Sequence, residues 1–256
     1  MGGDWRERLR AAANQPPLRP REPLHLALDG RSMLVGSIEL GLGERMVAAG
    51  LPVRRTSEAW RIDAPATPSL ADVAGWLHRE GLGGRWRDEL LAVVDAEERQ
   101  VAEVERSVVR ALGLTTFAVH LVGHAFDSQG MWVQQRALDK ATDPGLWDTL
   151  MGGQVAAGET AASALARETW EEAGLDVAGL LDLRPAGRLT FRRPVAEGYL
   201  VEHIDVSVAR LPEGALPNNR DGEVERFECL EPSALERRLA AGEFTLEAAL
   251  ILATFR

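Results

Sequence analysis

Between Gly153 and Leu175 the chain carries three glutamates at positions that share one turn of a helix. The order is Gly153, five residues, Glu159, seven residues, Arg167-Glu168, two residues, Glu171-Glu172, one residue, then Gly174-Leu175. Carboxylates at i, i+3 and i+4 lie on one helix face. Brought together they repel one another unless a cation joins them. Hard divalent ions take such oxygen ligands and keep water and room for phosphate oxygens. Clustered carboxylates also raise one another's pKa, which suits one of them to accept a proton from water as a general base. Gly152-Gly153 ahead of the helix leaves backbone that no side chain shields, so a carbonyl or amide can approach a metal or a phosphate. The chemistry this permits is metal-assisted attack of water on a diphosphate, with charge stabilised as a P–O bond breaks.

A bare Glu-x-x-Glu-Glu marks no more than a solvated helix face. The longer pattern, with Gly153, Glu159, Arg167 and Gly174 in register, resembles the Nudix box; Thr169 stands where an aliphatic residue is usual. That resemblance implies Glu168, Glu171 and Glu172 as ligands of a divalent metal, with the Gly153 carbonyl assisting. It implies Mg²⁺ as the ion, with Mn²⁺ as the alternative, and Glu168 as first choice for the base, with Glu171 the second catalytic glutamate. Arg167 is expected to orient a glutamate rather than touch substrate. A later glutamate often completes such sites, and Asp221-Gly222-Glu223-Val224-Glu225 offers two on one strand face. Glu223, next to a glycine, is the preferred one.

The surroundings narrow the resemblance. Trp132-Val133-x-x-Arg136-x-x-x-Lys140-x-x-x-Pro144-Gly145-x-x-Asp148, then Gly152-Gly153, is similar to a Nudix branch related to thiamine pyrophosphokinase. So is the tail around Asn218-Asn219-x-Asp221-Gly222-Glu223 and Gly242-Glu243-Phe244. Gln134-Gln135 departs from it, since an arginine before Arg136 is frequent there. The branch implies hydrolysis of small diphosphates, damaged thiamine diphosphate among them, to their monophosphates. Arg136, Lys140 and Gly152 then become the expected substrate contacts. Lys140 is the only lysine among 29 basic residues, and a lysine suits a diphosphate oxygen as a mobile point charge. Trp132 and Trp147 could stack on a ring but are read as core. His120 and His124 share a strand face without the partners a zinc site needs, and are read as packed or pocket-lining. Two other functions fit the same resemblance: a ligand-sensing module that does not cleave, and an isomerase like those acting on isopentenyl diphosphate. Retention of every box glutamate disfavours the first. The second relies on a cysteine ahead of the box, whereas Cys229 follows it.

These residues must be held by a mixed α and β scaffold. The 256 residues carry a net charge of −10, with 16 basic and 17 acidic residues up to Gly113 against 13 and 22 afterwards. An acidic second half is a poor partner for nucleic acid, where phosphate contacts dominate affinity. A small-molecule diphosphate is the expected partner, with no nucleic acid and no membrane, and a homodimer is possible. The single Cys229 fits a reducing compartment and is read as a buried apolar residue. With no apolar leader at the start, a cytoplasmic location is expected. Residues 1–22 read as an irregular lead-in, 23–113 as an α+β domain, and 114–256 as the Nudix domain. Strands are expected at 24–28 and 33–40 about Asp29-Gly30, a helix capped by Ser69, a hairpin from Trp86 to Glu105 and a linking helix over 107–112. The second half should hold strands over 116–126, 131–136, 187–193, 199–209 and 223–230. Its helices are expected over 160–173, 232–240 and 246–255, with Ala162, Leu165, Ala166, Thr169 and Ala173 as the buried stripe of the box helix. The fold class is α+β: by resemblance a Nudix α/β/α sandwich, preceded by a smaller α+β domain.

Overall fold

Two sheets with separate cores organise the chain in the computed structural model, which describes residues 4–28 and 30–256. The first is built from β1 (Arg21–Leu28), β2 (Arg31–Glu39), β3 (Val53–Arg55) and β4 (Trp60–Ile62), in the order β2-β1-β4-β3. Alternation on β1 sends Leu24 and Leu26 into the core. Of the predicted turn between β1 and β2, Asp29 lies outside the described residues. A short helix α2 (Leu42–Ala48) precedes β3, and α3 (Ala66–Arg79) covers the core with Leu70, Val73, Ala74 and Leu77 at helical spacing. The α3 helix begins before the expected cap: Pro68 sits in its first turn, where no backbone donor is needed, and Ser69 is buried. The hairpin of β5 (Leu90–Val94) and β6 (Gln100–Glu105) is shorter than predicted, because residues 84–89 form an irregular segment before it. The expected helix over 107–112 is a single 3₁₀ turn, Arg106–Val108, followed by turns that end at Gly113.

The second sheet comprises β7 (Thr115–His124), β8 (Met131–Arg136), β9 (Trp147–Asp148), β10 (Met151–Gln154), β11 (Leu181–Val195), β12 (Gly198–Arg210) and β13 (Val224–Leu230). Its order is β11-β12-β7-β8-β13, with β10 on β7 and β9 on β8. At its centre β7 runs parallel to β12 and is buried on both faces, as parallel pairs require. Ala118 and Val122 of β7 join one apolar cluster, Val119 and Leu121 another. The box helix α4 (Ala161–Ala173) contributes to the second; α5 (Pro232–Ala241) and α6 (Leu246–Phe255) contribute to the first. Helices on both faces make an α/β/α sandwich.

Three expectations need correcting here. The lead-in is not irregular: Trp5–Ala13 forms a helix, α1, capped by the Asp4 side chain. Its apolar residues Trp5, Leu9 and Ala13 fall at i, i+4 and i+8 and pack in the cluster that contains α6, while Arg8 and Arg10 are exposed and Arg6 pairs with Glu236 at 2.8 Å. Cys229 is exposed rather than buried. The buried stripe of α4 is also rotated: Ala162 and Ala166 are exposed, and Ala164, Leu165, Thr169, Glu172 and Ala173 are buried.

Candidate active site

The rotation of α4 decides what each glutamate meets. Thr169 is fully buried because its hydroxyl donates to the Leu165 carbonyl at 2.6 Å, which leaves only a methyl group to the core. Glu172, one turn below Glu168, is 3% exposed. Its carboxylate accepts from Gln134 Nε2 at 2.8 Å and from the Gly152 N–H at 3.1 Å. Burial pushes its pKa up to about 8, although those two hydrogen bonds oppose the rise. Gln134, where the sequence departs from the thiamine-related pattern, is therefore the partner of a box glutamate.

Glu168 lies against Gly153. A Cβ on Gly153 would stand 2.0 Å from the Glu168 carboxyl carbon, so only glycine admits this approach. Burial raises the Glu168 pKa, the neighbouring Arg167 charge opposes that rise, and Glu171 and Glu223 add to it. Arg167 organises the group. It holds Glu159 through Nε and Nη2, both at 2.8 Å, and reaches Glu168 at 2.8 Å and Glu171 at 3.1 Å through Nη1. Hydrogen bonds from Arg167 hold the Glu159 carboxyl below its ordinary range. Arg167 thus orients glutamates, and Glu171 remains the most exposed of the three.

Glu223 reaches the same cleft by a different route. The C-terminus of α4 ends at Gly174 in the left-handed conformation. Its last turns are tied to the following loop by Asn218 N–H to Ala173 O at 2.8 Å and Arg220 N–H to Glu171 O at 3.1 Å. The Asn219 side chain then accepts from the backbone of Asp221 and Gly222, both at 3.2 Å, and Glu223 emerges just before β13. Lys140 pairs with Glu223. Burial would raise the Glu223 pKa, but the bond and charge of Lys140, with Arg106 and Arg136 adding, hold it below its ordinary value. Glu225 is exposed and does not line the cleft.

The cleft encloses 380 Å³ and is lined by Gly152, Gly153, Glu168, Arg136, Lys140 and Glu223. Arg136 is engaged with Asp148 at 3.4 Å and with the Thr142 carbonyl at 3.0 Å. His120 also lines it, buried, with Nδ1 2.9 Å from the Thr149 hydroxyl; His124 lies on a separate groove beside Met131 and Leu230. Trp147 is core, with Arg238 stacked over its ring at 4.7 Å, and Trp132 packs against the cluster beneath α4.

The expected ligands are all oxygens; of them Glu168, Glu223 and Gly153 line the cleft, whereas Glu171 and Glu172 do not. Such a set fits a hard divalent ion, and burial that destabilises ionised Glu168 and Glu172 favours a cation beside them. Among the described residues no three acidic, histidine or cysteine side chains converge to metal-ligating distance. Each carboxylate is turned to a protein donor instead: Arg167, Gln134 or Lys140.

Sequence reasoning missed the other wall. Arg85, Arg87, Arg106 and Arg110, all from the first unit, line the cleft. So do Gln154, whose buried Oε1 has no partner, and Glu202, which accepts from Gln154 Nε2 at 2.7 Å and from Thr116 at 3.1 Å. Arg85 and Arg87 flank Trp86 at alternate positions, the one signal that could have drawn notice to them.

An α/β/α sandwich carrying an arginine-braced glutamate helix beside a diglycine strand defines a class of domain. Residues 116–250 match the NUDIX domain, more than half of the chain, and the protein belongs to the Nudix family. It is 31% identical over 175 residues to Nudix hydrolase 20, chloroplastic, of Arabidopsis thaliana, covering 64% of this chain and 45% of that protein. It is 40% identical over 107 residues to an uncharacterised Nudix hydrolase of Pseudomonas aeruginosa, covering 41% and 60% respectively. The chain therefore spans about half the length of these relatives. An isopentenyl-diphosphate Delta-isomerase of Corynebacterium glutamicum is 30% identical over 155 residues, covering 57% of this chain and 79% of that enzyme. The crystal structure of DR0079 from Deinococcus radiodurans superimposes with a TM-score of 0.53 at 25% identity, covering 66% of this chain and all of that one. No described helix is long and apolar enough to cross a membrane.

Proposed function

We propose that the protein is a divalent-metal-dependent pyrophosphohydrolase that cleaves a small-molecule diphosphate to a monophosphate. The observation that carries this reading is the Glu168 carboxyl, seated on the Gly153 backbone in the cleft with its pKa raised by burial. A raised pKa makes a carboxylate a stronger base near neutral pH. Mg²⁺, with Mn²⁺ as the alternative, would be held by Glu168, Glu171, Glu172, Glu223 and the Gly153 carbonyl, and would neutralise charge on the diphosphate and polarise water.

Glu168 accepts the proton of the attacking water. The new P–O bond forms as the bridging P–O bond breaks, and the departing phosphate leaves with the bridging oxygen. Arg167 keeps Glu168 and Glu171 in register through Nη1, while Glu159 fixes the other edge of its guanidinium. Gln134 and the Gly152 N–H fix Glu172 in its buried position. The surroundings of the box favour damaged thiamine diphosphate as the substrate, and Arg136, Lys140 and Gly152, its expected contacts, line the cleft.

The isomerase relatives support a second reading, in which the double bond of an isopentenyl-type diphosphate moves and no phosphate is released. Against it stands the position of the single cysteine: Cys229 lies on β13, exposed, and does not line the cleft. One experiment separates the readings. The purified chain is incubated with Mg²⁺ and thiamine diphosphate, its oxidised forms, ADP-ribose or isopentenyl diphosphate, and products are followed by phosphorus NMR. Monophosphate release that fails in Glu171→Gln supports the hydrolase. Isomerised diphosphate, or turnover untouched by Glu171→Gln, rejects it.

A further inference from the structure

The first unit delivers two arginines into the cleft on a segment whose backbone is pinned and whose guanidiniums are uncommitted. Residues 84–89 are fastened at both ends. Gly84 N–H donates to the Ser107 carbonyl at 2.8 Å, and Arg106 N–H donates to the Glu89 carbonyl at 2.8 Å. Between these points the buried Glu105 carboxylate accepts from Arg87 N–H at 2.8 Å and from Glu89 N–H at 3.1 Å. Trp86 turns the other way, packs on the first core, and lies 5.1 Å from the His78 ring. Arg85 and Arg87, on either side of it, are exposed and line the cleft.

Four arginines of this unit face that space, and two have partners: Arg106 pairs with Glu89 at 2.8 Å and Arg110 with Glu197 at 3.5 Å. Among the described residues the Arg85 and Arg87 guanidiniums have no hydrogen bond or ion pair. In the second unit Arg136 and Lys140 are likewise engaged, with Asp148 and Glu223. Carboxylates that include Glu168, Asp148, Asp221, Glu223, Glu202 and Glu247 line the cleft, and they repel an anionic substrate unless uncommitted positive charge lines it too. Guanidinium forks match phosphate oxygens two at a time, and a pinned backbone lowers the ordering cost of presenting them.

We infer that Arg85 and Arg87 are the phosphoryl-binding edge of the substrate cleft, so the first unit supplies part of the substrate site. The inference rests on the reading that the cleft takes a diphosphate. It predicts which side chains hold phosphoryl oxygens away from the glutamates: two uncommitted guanidiniums of the first unit, rather than the engaged Arg136 and Lys140.

The test compares wild type with the double variant Arg85→Gln/Arg87→Gln. Binding of the non-hydrolysable α,β-methylene-ADP is measured calorimetrically in Mg²⁺, and KM and kcat are measured on the best substrate found. The expected result is binding weakened about tenfold or more for each arginine lost, and KM raised in parallel. kcat should change less than about threefold and the melting temperature should hold, since neither side chain is paired. Arg85→Lys/Arg87→Lys should recover part of the affinity through charge alone. If wild type cleaves a diphosphate and the double variant binds and turns over equally well, the inference is wrong and the hydrolase reading survives. If wild type binds the analogue without cleaving any diphosphate, and the variant loses that binding, the inference stands and the hydrolase reading fails. If wild type neither binds nor cleaves, both fall.

Discussion

At the scale of single residues, Gly153 has the sharpest consequence. It is glycine because the Glu168 carboxyl occupies the space a Cβ would need, at 2.0 Å. Gly153→Ala should leave the fold intact, since the strand conformation there suits any residue, while pushing Glu168 out of place. Displacement by about an ångström is worth roughly a hundredfold in rate. We expect kcat to fall on that order with a small change in melting temperature, measured by steady-state kinetics beside thermal denaturation. Glu172 makes a second prediction, through pH. Its pKa in the fold is pushed up to about 8 from an ordinary value of 4.5, so without metal it is protonated through neutral pH. Binding a cation there expels that proton. Mg²⁺ affinity should therefore rise with pH by up to about tenfold per unit and level off above about pH 8. Titration calorimetry in buffers of different ionisation enthalpy would count the proton released. A pH-independent affinity would remove Glu172 from the metal-binding set.

At the scale of elements, the box helix carries a cost built into its core face. A raised folded pKa in an acid means that the fold prefers the neutral form. Stability of the metal-free protein should thus be full below about pH 4.5 and decline as pH rises toward about 8, where Glu172 ionises while buried. Glu172→Gln removes that ionisation and keeps an acceptor for Gln134 and the Gly152 N–H. The variant should melt higher than wild type at pH 8.5, match it near pH 5, and lose Mg²⁺-dependent turnover; equal melting at both pH values would contradict the argument. The same helix shows how far the sequence was legible. Glycine and glutamate spacing pointed to the box, and the helix, its C-terminal glycine and β12 and β13 lie close to where they were expected, whereas β11 begins at Leu181, six residues before the expected 187. Which face of α4 turned inward was not legible, because Ala162 and Ala166 match the apolar pattern as well as Ala164 does. The core accepted Thr169 and Glu172 through bonds to Leu165, Gln134 and Gly152 that no spacing rule reveals. The α1 helix was missed for a related reason: three apolar residues among arginines and alanines gain meaning only once α6 is there to receive them.

At the scale of the whole molecule, the arginine wall works only if the two units hold a fixed distance. Several contacts set it. Ala157 N–H, just before α4, donates to the Leu90 carbonyl at 2.9 Å, and Tyr199 N–H at the start of β12 donates to the Arg110 carbonyl at 2.9 Å. Arg188 of β11 pairs with Glu98 of the first unit at 2.8 Å. Next to Tyr199, against the Arg110 backbone, sits Gly198. Its φ of +141° lies where residues with a side chain are rare, and an added Cβ would stand 2.3 Å from the Arg110 carbonyl oxygen. That oxygen belongs to backbone and cannot swing aside, so Gly198→Val must push the units apart or distort the β11–β12 turn. The distances within the glutamate cluster do not depend on this contact, because α4, β10 and the loop before β13 belong to the second unit alone. The Arg85 and Arg87 segment moves with the first unit. Gly198→Val should therefore raise KM strongly, weaken binding of α,β-methylene-ADP, and expose the chain near residues 110–114 to limited proteolysis. Mg²⁺ affinity without substrate should stay close to wild type. If the variant instead lost metal affinity and kept its KM, the interface would be organising the box rather than the arginine wall.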